Sequence, residues 1–273
     1  MIFSRCRTSS GTLFGFLALL GVATSAQSPA SPAAAFRKAR SLYYTPIDRG
    51  LQGFSCEVHF KWKQFLETAN HGPVPDADER LAYLRGIKLS ITDDLNGSGQ
   101  LLWAAPTTAP DASEQSVAQI RSGMQAMWSG FFQSWNGFVT GDLVSLGDDR
   151  TTVERTAKGY HVFTGQNGKL AEETFDSNLV LLSLHVSTPT LESNLTPVFT
   201  DSAQGQLVTN LNSVVRQPPS APGSMVDMAV HYQPVNGFQL PSELSINVSG
   251  AADFDFTLSN CTVRTALSSA PAH

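Results

Sequence analysis

The segment that most constrains the fold of this chain spans residues 111–138 and has the pattern of one long helix. Its large apolar residues recur at steps of three and four, which places most of them on one broad stripe of an α-helix. These residues are Val117, Ile120, Met124, Met127, Trp128, Phe131, Phe132, Trp135 and Phe138. Because so wide an apolar stripe must be covered, we expect the rest of the chain to wrap around it.

The same helix carries a second stripe, which is made of small residues: Gly123, Ala126, Gly130 and Gly137. Each helical glycine costs about 1 kcal/mol relative to alanine, but the missing side chain lets a neighbouring backbone approach closely. We therefore expect a strand to come closest to the helix along this stripe.

The remaining segments show the alternation that is typical of half-buried strands. Residues 54–62 alternate ahead of the helix, and Cys56 falls on their apolar side. Residues 87–103 predict a hairpin around the Asn96-Gly97 step. From about residue 151 onward, strand patterns follow one another at hairpin spacing without a second helix of comparable quality.

The predicted fold is therefore α+β, with about eight to ten strands. We expect a curved, mainly antiparallel sheet (an incomplete barrel) with the one long helix packed on its concave face. Neither a fixed-period repeat nor a second apolar core divides the sequence, so residues 33–264 are predicted to form a single β-rich half-barrel domain. Residues 27–32 are predicted to be a linker, and residues 265–273 a flexible tail.

The first residues of the chain, 1–26, have the pattern of a secretory signal peptide. Arg5 and Arg7 supply the positive charge, residues 13–22 supply the apolar core, and Ala26 ends a small-residue cleavage site. The apolar core is short for a bilayer span, so a retained anchor is the weaker alternative, and no integral membrane segment is expected after cleavage. We expect an exported protein, periplasmic or extracellular.

Two cysteines remain after the predicted cleavage, Cys56 and Cys261, because Cys6 belongs to the signal peptide. In an oxidising compartment such a pair indicates a disulfide bond, whereas the alternative is two free buried thiols. A disulfide that closes so long a loop would stabilise the fold by roughly 4–5 kcal/mol in the chain-entropy model. If the pair forms, the strands that carry it are neighbours in the sheet.

Composition limits the classes of partner. Hydrophobic residues make up 41% of the chain, which supports a real core, and the net charge is −5. Without a basic stripe to neutralise phosphates, a nucleic acid is not an expected partner.

No residue pattern predicts catalysis, a metal site or a cofactor. Asp94, Asn96 and Ser98 match the first half of a calcium loop, but the position that should carry a glutamate is Ala105. The strand histidines lack metal-ligand spacing, and no Gly-x-Ser-x-Gly motif is present. Carboxylates are plentiful, among them Glu172-Glu173, but sequence cannot test whether two of them face one another across a cleft. An enzyme, such as a hydrolase, is therefore the weakest of the function classes.

The aromatic and methionine face of the long helix is the remaining candidate site. One interpretation is ordinary core packing. The other is that this face lines a cavity for an apolar ligand, since methionine supplies a soft and adaptable lining. The candidate ligand-binding residues are Met124, Met127, Trp128, Phe131 and Trp135.

The segment Tyr-Gln-Pro-Val-Asn-Gly-Phe-Gln-Leu-Pro at 232–241 resembles the closing hairpins of periplasmic lipoprotein-carrier domains and of related sigma-factor-regulator domains. The resemblance is architectural and spans residues 36–263. Residues 54–66 and 89–103 also look like segments of uncharacterised secreted bacterial proteins. The resemblance implies a half-barrel around helices, with an apolar cavity that receives acyl chains; no functional residue of that family is matched in this chain.

The leading hypothesis is a secreted or periplasmic protein that binds a lipid or another apolar ligand in a helix-plugged half-barrel. The alternative is an envelope interaction or structural module that contacts another envelope protein and has no small-molecule ligand.

Overall fold

The computed structural model describes residues 36, 39–95, 99–105, 114–140, 151–166, 168–249 and 252–266. These residues belong to one compact unit. The predicted signal peptide and linker lie outside the described residues. So do the turn at 96–98 and the predicted tail from residue 267 onward.

The described helices are α1 (Trp62–Ala69), α2 (Glu79–Arg85), α3 (Glu114–Val139) and a 3-10 helix (Pro46–Arg49). Phe36, Ala39 and Arg40 are helical as well. The strands are β1 (Leu51–Phe60), β2 (Lys88–Asp93), β3 (Gln100–Ala104), β4 (Thr151–Arg155), β5 (Gly159–Gln166), β6 (Lys169–Asp176), β7 (Leu181–Ser187), β8 (Glu192–Ser202), β9 (Gly205–Arg216), β10 (Ser224–Val235), β11 (Phe238–Val248) and β12 (Ala252–Thr265). None of the described helices combines the length and the apolar character that crossing a bilayer requires.

The strands form one twelve-stranded sheet in the order β3-β2-β1-β12-β11-β10-β9-β8-β7-β6-β5-β4. Every paired neighbour is antiparallel, so β4 to β12 follow one another as a meander and β1 joins β12. The sheet is not closed, because β3 and β4 remain its two edges, and α3 is the chain segment between them. The predicted α+β fold with an incomplete antiparallel barrel is confirmed.

The sheet has two strands more than the upper limit predicted from the sequence. The additional strands are β4 and β6. In β6 the two adjacent glutamates interrupt the apolar alternation that the sequence prediction relied on, and β4 ends on Glu154-Arg155. Tertiary pairing with β5 and β7 holds β6 in the sheet despite this pattern.

Aromatic side chains of α3 pack against strands that are far apart in the sheet order. The Trp135 ring lies 5.8 Å from that of Phe54 on β1, and its Nε1–H donates a 3.1 Å hydrogen bond to the hydroxyl of Tyr232 on β10. Because neighbouring strands are about 4.8 Å apart, β1 and β10 would be roughly 14 Å apart in a flat sheet. Because the Trp135 side chain contacts both strands, the sheet must curve around the helix.

The small-residue stripe of α3 faces away from the sheet, contrary to the prediction. Gly123 and Gly130 are exposed, and apart from the adjacent helix backbone no described atom lies within 4 Å of a Cβ built on either of them or on Gly137. The close backbone approach occurs instead at Gly99, where an added Cβ would lie 2.1 Å from the Phe132 ring. The prediction was wrong because the large aromatic stripe decides which face of the helix is buried.

The predicted disulfide is confirmed. Cys56 on β1 and Cys261 on β12 are joined, at a sequence separation of 205. Their strands are direct neighbours, paired at Ser55 with Thr262 and at Glu57 with Ser259. The bond therefore links β1 and β12, which are the first and the last strand in chain order and neighbours in the sheet.

A segment before β1 covers one end of the concave face. Phe36 packs edge-on against Tyr160 and Phe175, at ring distances of 5.5 and 5.0 Å. The Tyr43 hydroxyl donates to the Leu179 carbonyl and accepts from the Leu181 N–H, at 3.1 and 2.7 Å. This segment and the aromatic stripe of α3 share one hydrophobic core.

Candidate ligand-binding site

The five candidate residues on α3 lie together on its buried face. Met124 and Phe131 are 1% exposed, Trp128 and Trp135 are 0% exposed, and Met127 is half-buried. Trp128 packs against the rings of Phe131, Phe132 and Phe256, at distances between 5.0 and 5.6 Å. A ligand would reach the four buried side chains only after they moved apart, so the lining role predicted for them is not supported by their exposure.

The concave face continues beyond this core along strands β4 to β8. A row of directly paired residues crosses these strands, which we call row A: Val153, Val162, Glu173, Leu184 and Leu195. The next row on the same face, row B, comprises Thr151, Thr164, Ala171, Val186 and Ser193. Together the two rows form what we call the inner wall.

Strand alternation places the inner wall on the core side of the sheet. Val162 and Glu173 each lie two residues from a core aromatic, Tyr160 and Phe175 respectively. Both aromatics contact Phe36. Since side chains two apart on a strand share a face, rows A and B continue the surface on which the core is built.

Partial burial distinguishes the inner wall from the core. Val162 is 1% exposed, but Leu184, Val186 and Leu195 are half-buried. The described ring contacts of α3 with the β8 side of the sheet end at Phe199, whose ring lies 5.8 Å from that of Phe138. Half-buried apolar side chains on a concave face have the chemistry of an apolar ligand site.

One carboxyl group interrupts row A, whose other members are all apolar. Glu173 is paired with Val162 on one side and with Leu184 on the other. Its Oε2 is fully buried, and no described group donates a hydrogen bond to it. Burial without a compensating partner disfavours the charged form and raises the pKa of Glu173 to about 8.

A second buried polar group joins α3 to β2. Asp93 Oδ1 accepts hydrogen bonds from the Leu95 N–H at 2.9 Å and from Asn136 Nδ2 at 3.2 Å. Asp93 Oδ2 and Asn136 Oδ1 are buried without a described donor. Desolvation raises the pKa of Asp93, while the two hydrogen bonds oppose that shift. This pair fixes the helix against the sheet at a distance from the inner wall.

A separate groove lies beside the edge strand β3 and is lined by residues of β1, β2, β3 and α3. It has a volume of about 830 Å³, and its lining includes Glu57, His59, Lys88, Trp103 and Arg121. Leu102, which also lines it, is 46% exposed. The lining of this groove mixes charged and apolar side chains, whereas row A is apolar apart from Glu173.

A serine and a histidine are hydrogen-bonded at the outer face of the sheet, the contact that a hydrolase would need. His59 Nε2 and Ser259 Oγ are 2.7 Å apart. Two similar exposed bonds link the same strands, Ser55 with Thr262 at 3.1 Å and Asn260 with Glu57 at 2.9 Å. As one of three such bonds across one strand pair, the contact fits sheet stabilisation better than an activated nucleophile.

The half calcium loop is only partly within the described residues, because Asn96 and Ser98 are outside them. Asp94, its first member, pairs with the Arg264 guanidinium. Among the described residues, no group of histidine, cysteine and carboxylate side chains is arranged to hold a metal ion.

Glu173 is the residue of the candidate site that the sequence did not identify. In the sequence it is only one of several carboxylates, and the apolar alternation does not predict its strand, β6. The available signal was the alternation Ala171-Glu173-Phe175, in which the glutamate shares a face with an aromatic residue.

No family model matches this chain, and no match was found among the curated proteins or the solved structures compared with it. The resemblance to lipoprotein-carrier domains accordingly stays a prediction from the sequence.

Proposed function

We propose that this chain is an exported protein that binds a lipid or another apolar ligand in its helix-plugged half-barrel, against the inner wall. The observation that carries the proposal is the half-burial of Leu184, Val186 and Leu195 on the concave face. Apolar side chains in that position lose their remaining contact with water when an apolar guest covers them, at about 25 cal/mol per Å² buried.

The fixed parts of the fold support the binding role. The aromatic stripe of α3 and the segment around Tyr43 close one end of the concave face, and the disulfide ties β1 to β12. A rigid scaffold of this kind keeps an apolar surface available without collapse, as a carrier of acyl chains requires. The proposal agrees with the architectural resemblance to lipoprotein carriers, which is an analogy of fold.

Export is proposed on two independent grounds. The signal pattern of residues 1–26 predicts it, and the bond between Cys56 and Cys261 is of a type that persists in oxidising compartments. Mass spectrometry of each cell fraction tests export, because it distinguishes processed from unprocessed chains. A chain that retains Arg5 and Arg7 and stays in the cytosol would contradict export.

Mass spectrometry of bound lipid tests the binding proposal. Protein purified from the exported fraction without detergent is extracted with organic solvent, and the extract is compared with that of a disulfide-bonded control protein prepared in parallel. We expect a lipid class enriched in near-stoichiometric amount. An extract that matches the control, from protein that also takes up no added lipid, would contradict the proposal.

The alternative, an interaction module without a small ligand, is favoured by a different feature. The groove beside β3 combines exposed Leu102 with charged residues, and an open sheet edge can receive a further strand. Leu102→Lys would abolish the capture of an envelope partner in that case and leave lipid content unchanged.

A further inference from the structure

We propose that Glu173 binds the head group of a cationic amphiphile, so that the ligand of the inner wall carries a protonated amine. This inference rests on the proposed function, because it assigns the chemical class of the ligand for the same site.

The described surroundings of Glu173 provide no hydrogen-bond donor to the Oε2 atom of its carboxyl group. Its cross-strand neighbours, Val162 and Leu184, are apolar. The Thr164 hydroxyl on the same face is engaged with Thr151 at 3.1 Å. The Tyr43 hydroxyl already uses its proton on the Leu179 carbonyl. No described donor therefore satisfies the buried Oε2.

The other titratable and charged groups around Glu173 do not supply a counter-charge. Tyr160 of β5 shares its face, Asp176 ends β6, and the inner wall of β7 offers only apolar side chains. Arg155 of β4 shares the face by register, but it is exposed and no described ion pair joins it to Glu173. No described residue therefore supplies the cation that would pair with this carboxylate, and the proposal assigns that cation to the ligand.

A cationic head group changes the protonation of the site. With its pKa raised to about 8, Glu173 holds a proton at neutral pH when the site is empty. An ammonium group at hydrogen-bond distance favours the carboxylate, so the carboxyl proton passes to solvent and a charge-assisted hydrogen bond forms. The apolar tail of the ligand then covers Leu184 and Leu195, and water is excluded from the ion pair.

Calorimetric titration with two matched amphiphiles tests the inference. Decylamine, which is protonated at pH 6.5, and decan-1-ol have the same tail and are titrated into the full chain below their aggregation limits. We expect the wild-type protein to bind the amine at least about tenfold more tightly than the alcohol. Repeating the amine titration in buffers of different ionisation enthalpy should show release of nearly one proton per bound amine.

Two variants make the result specific to this residue. Glu173→Gln should bind the amine and the alcohol with affinities within about twofold of one another and release no proton. Glu172→Gln, which alters the adjacent carboxylate on the opposite face, should behave as the wild type does. Thermal unfolding of both variants shows whether they are folded.

The outcomes separate the inference from the proposed function. If the wild type binds both amphiphiles equally, or if Glu173→Gln keeps the preference for the amine, the role of Glu173 is overturned while apolar binding stands. If neither amphiphile binds to the folded wild type, both proposals are overturned.

Discussion

At the scale of single residues, the buried carboxyl of Glu173 is an ionisable group that lies between apolar side chains of the concave face. A carboxyl group held between Val162 and Leu184 is tolerated because it is neutral at the pH at which most carboxylates are charged. Folding stability is therefore linked to pH through this residue.

We predict that the free energy of unfolding falls as the pH rises from about 4.5 to about 8, the ordinary and the raised pKa of Glu173. Within that window the unfolded chain releases the proton and the folded chain keeps it, so rising pH favours unfolding. Because of Glu173, the free energy of unfolding falls by up to about 1.4 kcal/mol per pH unit within this window. The contribution of this residue is fully present below pH 4.5 and is lost above pH 8. Urea unfolding of wild type and Glu173→Gln across this range measures it. Parallel pH profiles for the two proteins would refute the linkage.

A second prediction at this scale concerns Asn136. Asn136→Ala removes one of the two donors to buried Asp93, which should lower the free energy of unfolding by about 1–3 kcal/mol. Gln133→Ala, at an exposed position one turn earlier on α3, is the control and should change it by less than about 0.5 kcal/mol. Equal losses in the two variants would show that the buried hydrogen bond contributes nothing.

At the scale of elements, α3 could be predicted almost completely and β6 could not. The aromatic stripe around Trp128 and Trp135 leaves only one face for the core, so helix and burial follow from spacing alone. In β6 the adjacent Glu172 and Glu173 break the apolar alternation from which a strand is predicted. The strand forms nevertheless because it pairs with β5 and β7. The candidate site was missed for the same reason: the inner wall exists only through the register between strands, and a single sequence does not contain register.

The orientation of α3 gives a prediction for its glycines. Gly123→Ala and Gly130→Ala should each raise the free energy of unfolding by about 0.5–1 kcal/mol, since the added methyl group meets no described atom and the helix gains propensity. Gly99→Ala should lower it by more than about 1 kcal/mol, because its Cβ would overlap the Phe132 ring. Thermal and urea unfolding of the three variants measures these changes. A loss of stability in the two helix variants would mean that the small-residue stripe is covered in solution.

The disulfide belongs to the same scale because it joins two elements, β1 and β12. Its loop of 205 residues predicts a stabilisation of about 5 kcal/mol in the chain-entropy model. The double variant with Cys56→Ser and Cys261→Ser should lose that amount, and addition of a reductant should lower the melting temperature of the wild type but not of the variant. A wild-type melting temperature that is insensitive to reductant would contradict the account.

At the scale of the whole molecule, the fold is a meander that stops short of closing. The strands run in sequence from β4 to β12 and continue to β1, β2 and β3, with α3 as the chain segment between the two edges. The predicted class and the adjacency of the first and last strands could be derived from alternation and from the cysteine pair. Which part of the concave face is sealed could not, because it depends on Phe36 and Tyr43 packing across the sheet.

The central claim is that the inner wall, rather than the sealed face of α3, receives an apolar ligand. The most direct measurement is a fluorescence titration with the neutral apolar dye N-phenyl-1-naphthylamine on the full exported chain. We predict saturable binding to the wild type and a loss of about tenfold in affinity for Leu184→Asn and Leu195→Asn. Val198→Asn should not change the affinity, because its residue is 46% exposed on the face of β8 opposite to Leu195. Absence of saturable binding, or equal affinity in all three folded variants, would contradict the claim.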